Sequence, residues 1–183
     1  MSRHEPFTLT PPVGPADHAR GPAHAPVTIV EYGDFECPNC RQAAAVVKLL
    51  LRRFDNRVRF AFRHFPLEGI HPHAELAAEA AECAAGQGRF WEMHDLLYEN
   101  QGHLKLPQLR GHAERLALDM ARFDAELTDH VYLQRVREHV ASGRESGVRS
   151  TPGFFVNDRI QDVSFGHHLL LEAVESALHR KPA

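Results

Sequence analysis

The sequence contains little cysteine, with three such residues among 183. A secreted domain held together by disulfides needs more of them, and the odd number leaves at least one thiol outside any internal pair. The sequence also has no apolar run near the roughly 18 residues that a membrane-spanning helix requires. These absences argue against a disulfide-stapled domain and against insertion into a membrane.

Charge of one sign is not in excess either. The 21 basic and 24 acidic residues give a net charge of −3, and no basic block is present. A nucleic-acid partner is therefore not expected. A hydrophobic share of 43% and a mean hydropathy of −0.37 are typical of a globular domain with a sizeable core.

The first twelve residues lack the apolar stretch of a secretory signal. This predicts a cytoplasmic location. A periplasmic or secreted location would apply if a leader had been removed.

The apolar pattern of the first third predicts a β-α-β unit. A β-branched run at 27–30 that ends in Glu31 and Tyr32 is typical of a strand buried on both faces. Residues 41–54 have apolar side chains at helical spacing, and residues 58–63 alternate as in a strand. Before this unit, prolines predict an extended segment at 1–16.

A block of helices is predicted next. Helical spacing runs from Ala74 to a stop at Gly86, and further helices are predicted near Phe90 and after Pro107. Asp119 and Asp129 are N-cap candidates for two more helices.

Strand patterns return near the end of the chain. Residues 154–156 and 159–163 predict a hairpin with its turn at Asn157 and Asp158, and residues 169–178 predict a last helix. The order predicts an α/β fold whose mixed sheet is flanked by helices. One domain would span 17–65 and 148–183, and an all-helical insertion would span 66–147.

A Cys-x-x-Cys sequence follows the first strand directly and opens the first helix. Free N–H groups and the positive end of the helix dipole stabilise an anion there, so Cys37 is expected to ionise more easily than a free thiol. The dipole alone would lower the pKa of the thiol from ~8.5 to ~7, and lower values would need direct hydrogen bonds to the sulfur. Pro38 presets φ for the first turn.

The positions of the two thiols predict different roles. Cys37 at the helix tip is expected to be exposed and to attack a disulfide, whereas Cys40, one turn further in, is expected to be shielded and to resolve the mixed disulfide. The alternatives are half of a zinc site or two inert thiols. Zinc prefers four ligands, no second Cys-x-x-Cys is present, and Cys83 lies on an apolar helix face, so no metal site is predicted.

Glu31, at the end of the first predicted strand, is a third candidate. A carboxyl group buried there would have a raised pKa and could accept a proton from Cys40. The alternative is a strand-end glutamate whose side chain reaches water.

Four segments of the sequence closely resemble the DsbA-like thiol-disulfide oxidoreductases of the thioredoxin fold. They are VTIVEYGDFECPNC (27–40), HPHAELAAEAAEC (71–83), FWEMHDLLYENQ (90–101) and VRSTPGFFVN (148–157). The resemblance implies a thioredoxin fold with an inserted helical domain, which matches the order of elements predicted above.

The resemblance also implies roles for particular residues. Cys37 is similar to the nucleophile of this family, Cys40 to its resolving cysteine, and Glu31 to its buried acid. Thr151 and Pro152 resemble the cis-proline element, whose backbone binds an extended substrate. Asn39 differs from the histidine or aromatic residue of some members, so a strongly oxidising potential is not implied.

The predicted function is exchange of disulfides with protein or peptide thiols, without a cofactor, together with a redox partner that recycles the cysteine pair. In a reducing cytosol the pair would rest mostly as a dithiol, which favours reductase or isomerase work over oxidation. Two alternatives stay open. One is a non-catalytic peptide-binding module that uses the pair as a redox switch or metal clip, and the other is glutathione-linked chemistry on small molecules.

Overall fold

The computed structural model describes residues 7–164 and 166–180. The strands lie in the first and last parts of the described chain, and five helices follow one another in its middle. In chain order the elements are β1 (His18–Arg20), β2 (Val27–Gly33), α1 (Pro38–Arg53), β3 (Val58–His64), α2 (Ala74–Ala85), α3 (Phe90–Glu99), α4 (Leu106–Arg115), α5 (Met120–Thr128), α6 (Leu133–Glu145), β4 (Gly153–Val156), β5 (Arg159–Gln161) and α7 (His168–His179).

The strands form one mixed sheet in the order β1-β3-β2-β4-β5. Strands β2 and β3 are parallel and are joined by α1, while the other neighbouring pairs are antiparallel. The predicted mixed sheet flanked by helices is confirmed. The sheet places the carboxyl end of its central strand β2 beside the start of α1.

Alternate residues of β2 point into two apolar clusters on opposite faces of the sheet. Ile29 lies in the larger cluster with side chains of α1, α2 and α3, whereas Val30 and Tyr32 lie in a smaller cluster with Phe155. Because side chains alternate along a strand, Glu31 faces the same side as Ile29. The carboxyl group of Glu31 is therefore directed into the larger core.

Helices α2 to α6 lie between β3 and β4 in the chain. The larger apolar cluster contains side chains of α2 to α5 together with side chains of α1 and of the sheet. The helical block and the sheet thus share buried apolar surface. The division of the chain at residues 66 and 147 stays a prediction.

Two local features differ from the predictions. Strand β1 was not predicted, since three residues after a proline-rich segment give too short a pattern to detect. Asp119 is the N-cap of α5 and accepts a hydrogen bond from the Arg122 N–H, as predicted. Asp129, however, ends α5, and α6 begins only at Leu133, because His130 adopts a left-handed conformation with φ of 51°.

The predicted extended segment at 1–16 is only partly described. Residues 1–6 lie outside the described residues. From residue 7 onwards this segment contains no helix, and Thr8 forms an isolated antiparallel bridge with Arg159.

Candidate active site

The first turn of α1 places the two cysteines at the edge of the sheet. Cys37 is the N-cap residue of α1 and Pro38 is its first residue. The helix thus begins at the Cys-x-x-Cys sequence, as predicted, three residues before the apolar pattern that starts at 41. The N–H groups of this first turn are the donors that a helix cannot satisfy itself, and the Cys37 sulfur lies beside them.

The loop between β2 and α1 is held by the side chain of Asp34, which the sequence analysis did not identify. The Glu36 N–H donates to Asp34 Oδ1 at 2.7 Å and the Leu67 N–H donates to Asp34 Oδ2 at 2.8 Å. Asp34 Oδ2 also lies 2.7 Å from His71 Nδ1. The loop before α2 and the loop before α1 are therefore fastened to each other.

Gln101 supports the same loop from the end of α3. Its side-chain amide donates to the Phe35 carbonyl at 2.9 Å and to the Cys37 carbonyl at 2.8 Å. Periodicity could not reveal this contact, because Gln101 follows the helix and its partners are backbone atoms. The only signal in the sequence was that Gln101 ends one of the four segments that resemble the DsbA-like family.

The exposure predicted for Cys37 is wrong in degree. Cys37 is 5% exposed and Cys40 is fully buried. The cause is the segment before β4, which lies over the sulfur: the Cys37 thiol donates to the Thr151 carbonyl at 3.4 Å. The Thr151–Pro152 peptide bond is cis. A cavity of about 520 Å³ adjoins this place, lined in part by Asn39, Thr151 and Pro152.

The two thiols differ strongly in acidity. A hydrogen bond from the Cys40 thiol lowers the pKa of Cys37 to about 5 against the opposing effect of burial, and the N–H groups of Cys40 and Asn39 add to this effect. The helix dipole alone would leave the pKa near ~7, so direct hydrogen bonds account for the rest. Burial, followed by the neighbouring Cys37 and Glu31, raises the pKa of Cys40 well above its ordinary value.

Glu31 is fully buried, so the alternative in which its side chain reaches water is wrong. Neither carboxyl oxygen has a hydrogen-bond partner among the described residues. Burial, and next the charge of Cys37, raises the pKa of Glu31 to about 8. The structure thus brings together Glu31, Cys37, Cys40 and Thr151.

Cys83 lies apart from this group in α2 and is fully buried. Burial raises the pKa of its thiol to about 12, which makes it a poor nucleophile at neutral pH.

Among the described residues, one group of three side chains offers closely spaced atoms of the kind that bind metals. These atoms, from His18, His64 and Glu82, lie within 4.8 Å of one another. Both histidine Nε2 atoms lie 2.8 Å from Glu82 Oε1, and Arg135 Nε lies 2.9 Å from Glu82 Oε2. The Glu82 carboxylate is therefore already paired within the protein.

Comparison with known proteins identifies the family of this fold. A family model described as thioredoxin matches residues 14–176. Na⁺/H⁺ antiporter NhaA 1 of Salinispora arenicola is 52% identical over 170 residues, which are 92% of this chain and 26% of the antiporter. The chain thus spans about a quarter of the length of the curated relatives it matches.

Solved structures match over nearly the whole chain. A thioredoxin-like oxidoreductase from Silicibacter pomeroyi is 27% identical with a TM-score of 0.77, and the match covers 92% of this chain and 95% of that one. α-DsbA1 of Wolbachia pipientis is 18% identical with a TM-score of 0.79, covering 91% and 92%. The second likeness shows the fold alone.

The comparisons correct the expected cytoplasmic location, which is wrong. One structural neighbour is a periplasmic thioredoxin-like protein from Salmonella enterica serovar Typhimurium, which is 19% identical with a TM-score of 0.74, and the match covers 94% of each chain. The preference for reductase or isomerase work was inferred from the redox potential of the cytosol, so the direction of disulfide exchange is open. Among the described residues no helix is long and apolar enough to cross a membrane.

Proposed function

The chain belongs to the thioredoxin family, and on that premise we propose that it is a thiol-disulfide oxidoreductase whose attacking group is the Cys37 thiolate. One observation carries the proposal. Cys37 caps α1 with a pKa lowered to about 5, while the pKa of its neighbour Cys40 is raised. At neutral pH one sulfur is therefore an anion and the other holds a proton.

The first step is attack of the Cys37 thiolate on a disulfide of a protein or peptide. A bond forms between the Cys37 sulfur and one substrate sulfur, and the substrate S–S bond breaks. The leaving sulfur departs as a thiolate and takes a proton from solvent. The low pKa of Cys37 ensures that the attacking form is present at pH 7.

The second step resolves the mixed disulfide. Cys40 gives its proton to the Glu31 carboxylate and attacks the Cys37 sulfur, so that an internal disulfide forms and the substrate leaves as a thiolate. Substrate is reduced by two electrons and the cysteine pair is oxidised. Run in reverse, the same steps oxidise a dithiol, so the direction depends on the redox partner that recycles the pair.

The substrate is proposed to be an extended peptide segment. Its backbone would pair with the backbone of Thr151 in the manner of an added strand, and the cavity lined by Asn39, Thr151 and Pro152 would receive its side chains. Pro38 and Asn39 would adjust the acidity of Cys37, since the Asn39 N–H is one of the donors to its sulfur.

Insulin reduction with a thiol reductant tests the function. We expect turnover by the unchanged protein, none by Cys37→Ser, and a trapped mixed disulfide by Cys40→Ser that mass spectrometry detects. Cys83→Ala is the matched control and should keep full activity. Turnover that persists in Cys37→Ser would contradict the proposal, and peptide binding without turnover would support a binding module instead. Dependence on glutathione would indicate chemistry on small molecules.

A further inference from the structure

One group of polar side chains in the core is not used by the proposed reaction. His18 of β1, His64 at the end of β3 and Glu82 of α2 hold their donor atoms within 4.8 Å of one another. The side chain of His64 is fully buried, that of Glu82 is 3% exposed and that of His18 is 17% exposed. Imidazole nitrogens and carboxylate oxygens are donors that bind zinc in proteins.

The register of the sheet places both histidines on one face. His18 is the cross-strand partner of Phe62, and His64 follows Phe62 by two residues on β3. Cross-strand partners and alternate residues of a strand point to the same side, so both imidazoles face the larger apolar cluster, to which α2 contributes. Glu82 meets them from α2. The three donors thus come from elements that are distant along the chain, and their spacing in the sequence could not reveal them.

The donor atoms converge on one place. Nε2 of His18 and Nε2 of His64 both lie 2.8 Å from Glu82 Oε1. Donors bound to a tetrahedral zinc ion lie about 2.0–2.1 Å from the metal and therefore roughly 3.3 Å from one another. Each nitrogen must thus move away from the carboxylate oxygen by about half an ångström to admit the ion.

Aromatic rings hold both imidazoles in this orientation. The His18 ring stacks on Phe90, with 3.5 Å between the ring centroids and 12° between the planes. The His64 ring lies against Phe62 and Phe35, with centroid distances of 5.5 and 5.8 Å. Because these contacts already restrict the side chains, binding of an ion costs little further conformational entropy.

The other polar atoms of the three side chains are compatible with a bound cation. Arg135 Nε lies 2.9 Å from Glu82 Oε2, which leaves Oε1 as the oxygen that faces the histidines. His64 Nδ1 has no hydrogen-bond partner among the described residues. No contact at Nδ1 therefore fixes the tautomer, and the ring is able to hold its proton there and offer the Nε2 lone pair to a metal.

We propose that His18, His64 and Glu82 form a zinc site, with Nε2 of each histidine and Oε1 of the glutamate as protein ligands and a water molecule as the fourth. Mixed nitrogen and oxygen donors favour Zn²⁺ over Ca²⁺ and Mg²⁺, which prefer oxygen alone. The ion joins strands β1 and β3 to helix α2. It stabilises the folded protein, since only the folded chain brings the three donors together. The inference is independent of the reaction proposed for Cys37.

Metal binding is measured on the double variant Cys37→Ser/Cys40→Ser, because the reduced cysteine pair would itself compete for zinc. Cobalt, a spectroscopic substitute for zinc, should produce the visible absorption of a tetrahedral site and should saturate at one ion per chain. Added zinc should displace the cobalt and remove the absorption. The thermal unfolding temperature should rise with the concentration of zinc.

Two glutamates of α2 provide a matched comparison in this background. Glu79 and Glu82 are both 2% exposed, but Glu79 is paired with one histidine, His130, instead of two. Glu82→Gln should weaken zinc binding about 100-fold, since even a partner that only orients a ligand contributes about 10–100-fold. Glu79→Gln should leave the affinity unchanged.

Two further variants change the other side of the site. His18→Phe keeps a ring stacked on Phe90 and should weaken zinc binding to a similar extent, so it decides the question if Glu82→Gln does not fold. Arg135→Gln should strengthen binding, because it removes a positive charge beside Glu82. A cobalt spectrum without tetrahedral character would overturn the inference. Equal affinity with and without His18→Phe would do the same, since it would show adventitious binding to other histidines.

Discussion

Replacing Glu31 with Gln removes a carboxyl group that ionises with difficulty in the folded protein. The pKa of Glu31 is raised from its ordinary 4.5 to about 8, first by burial and second by the charge of Cys37. Gln has nearly the same shape and stays neutral at every pH. The variant should therefore be more stable than the unchanged protein at neutral pH, even though it resolves mixed disulfides more slowly.

The size of the effect follows from the two pKa values. At pH 7 the unfolded carboxyl group lies 7 − 4.5 = 2.5 pH units above its pKa, while the folded one is still mostly protonated. At about 1.36 kcal/mol per unit, this amounts to a gain on the order of 3 kcal/mol for Glu31→Gln. A raised pKa makes the group most favourable to folding below pH 4.5, and that contribution is lost as the pH rises through 8.

Urea unfolding at several pH values measures this gain. The difference in unfolding free energy between Glu31→Gln and the unchanged protein should be near zero at pH 4 and should grow steadily between pH 5 and pH 8. Glu114→Gln, at an exposed position of α4, is the matched control and should show no such trend. A difference that is the same at pH 4 and pH 8 would refute the reasoning, because it could not come from ionisation of Glu31.

Three further predictions concern other contacts. The rate at which iodoacetamide alkylates Cys37 should depend on pH with a midpoint near pH 5, and Cys40→Ala should move this midpoint upwards because it removes the principal hydrogen-bond donor to the Cys37 sulfur. An unmoved midpoint would show that the Cys40 thiol is not that donor. Gln101→Leu leaves two carbonyls of the active-site loop without their donor, so urea unfolding should show a loss of about 1–3 kcal/mol, and undiminished stability would argue against the contact. Gly143→Ala in α6 places a methyl group 2.7 Å from the Phe65 ring and should lower the free energy of unfolding by about 1–3 kcal/mol. Gly111→Ala in α4, with nothing within 4 Å of the added methyl group, should raise it by about 0.4–1 kcal/mol. Similar changes in thermal unfolding temperature for the two variants would show that the close packing of α6 against Phe65 does not determine the outcome.

Local patterns predicted most of the fold, because each depends on residues close in sequence. The helix stop at Gly86 and the turn at Asn157 and Asp158 are examples, and both lie where expected. The support of the active-site loop could not be predicted in this way. Asp34 and Gln101 bind backbone atoms of loops, and hydrogen bonds of this kind leave no periodic trace in a sequence.

The burial of Cys37 was beyond prediction for a related reason. Its cover comes from Thr151, which is 114 residues away along the chain. A helix dipole can be inferred from the position of Cys37 alone, but the donors that lower its pKa further depend on packing. The sequence therefore predicted that the pKa of Cys37 is lowered, and the structure shows the hydrogen bonds that lower it further.

The raised pKa of Glu31 is coupled to the state of Cys37, and this coupling orders the proposed reaction. While Cys37 is a thiolate, its charge opposes ionisation of Glu31, so the site holds one negative charge and the carboxyl group keeps its proton. When Cys37 enters a mixed disulfide, that charge disappears. The pKa of Glu31 should then fall, although burial, the larger cause, still holds it above the ordinary value. Glu31 thus becomes a better proton acceptor at the stage when Cys40 has to lose a proton. In the proposed reaction, attack by Cys37 would therefore favour the resolving step that follows it.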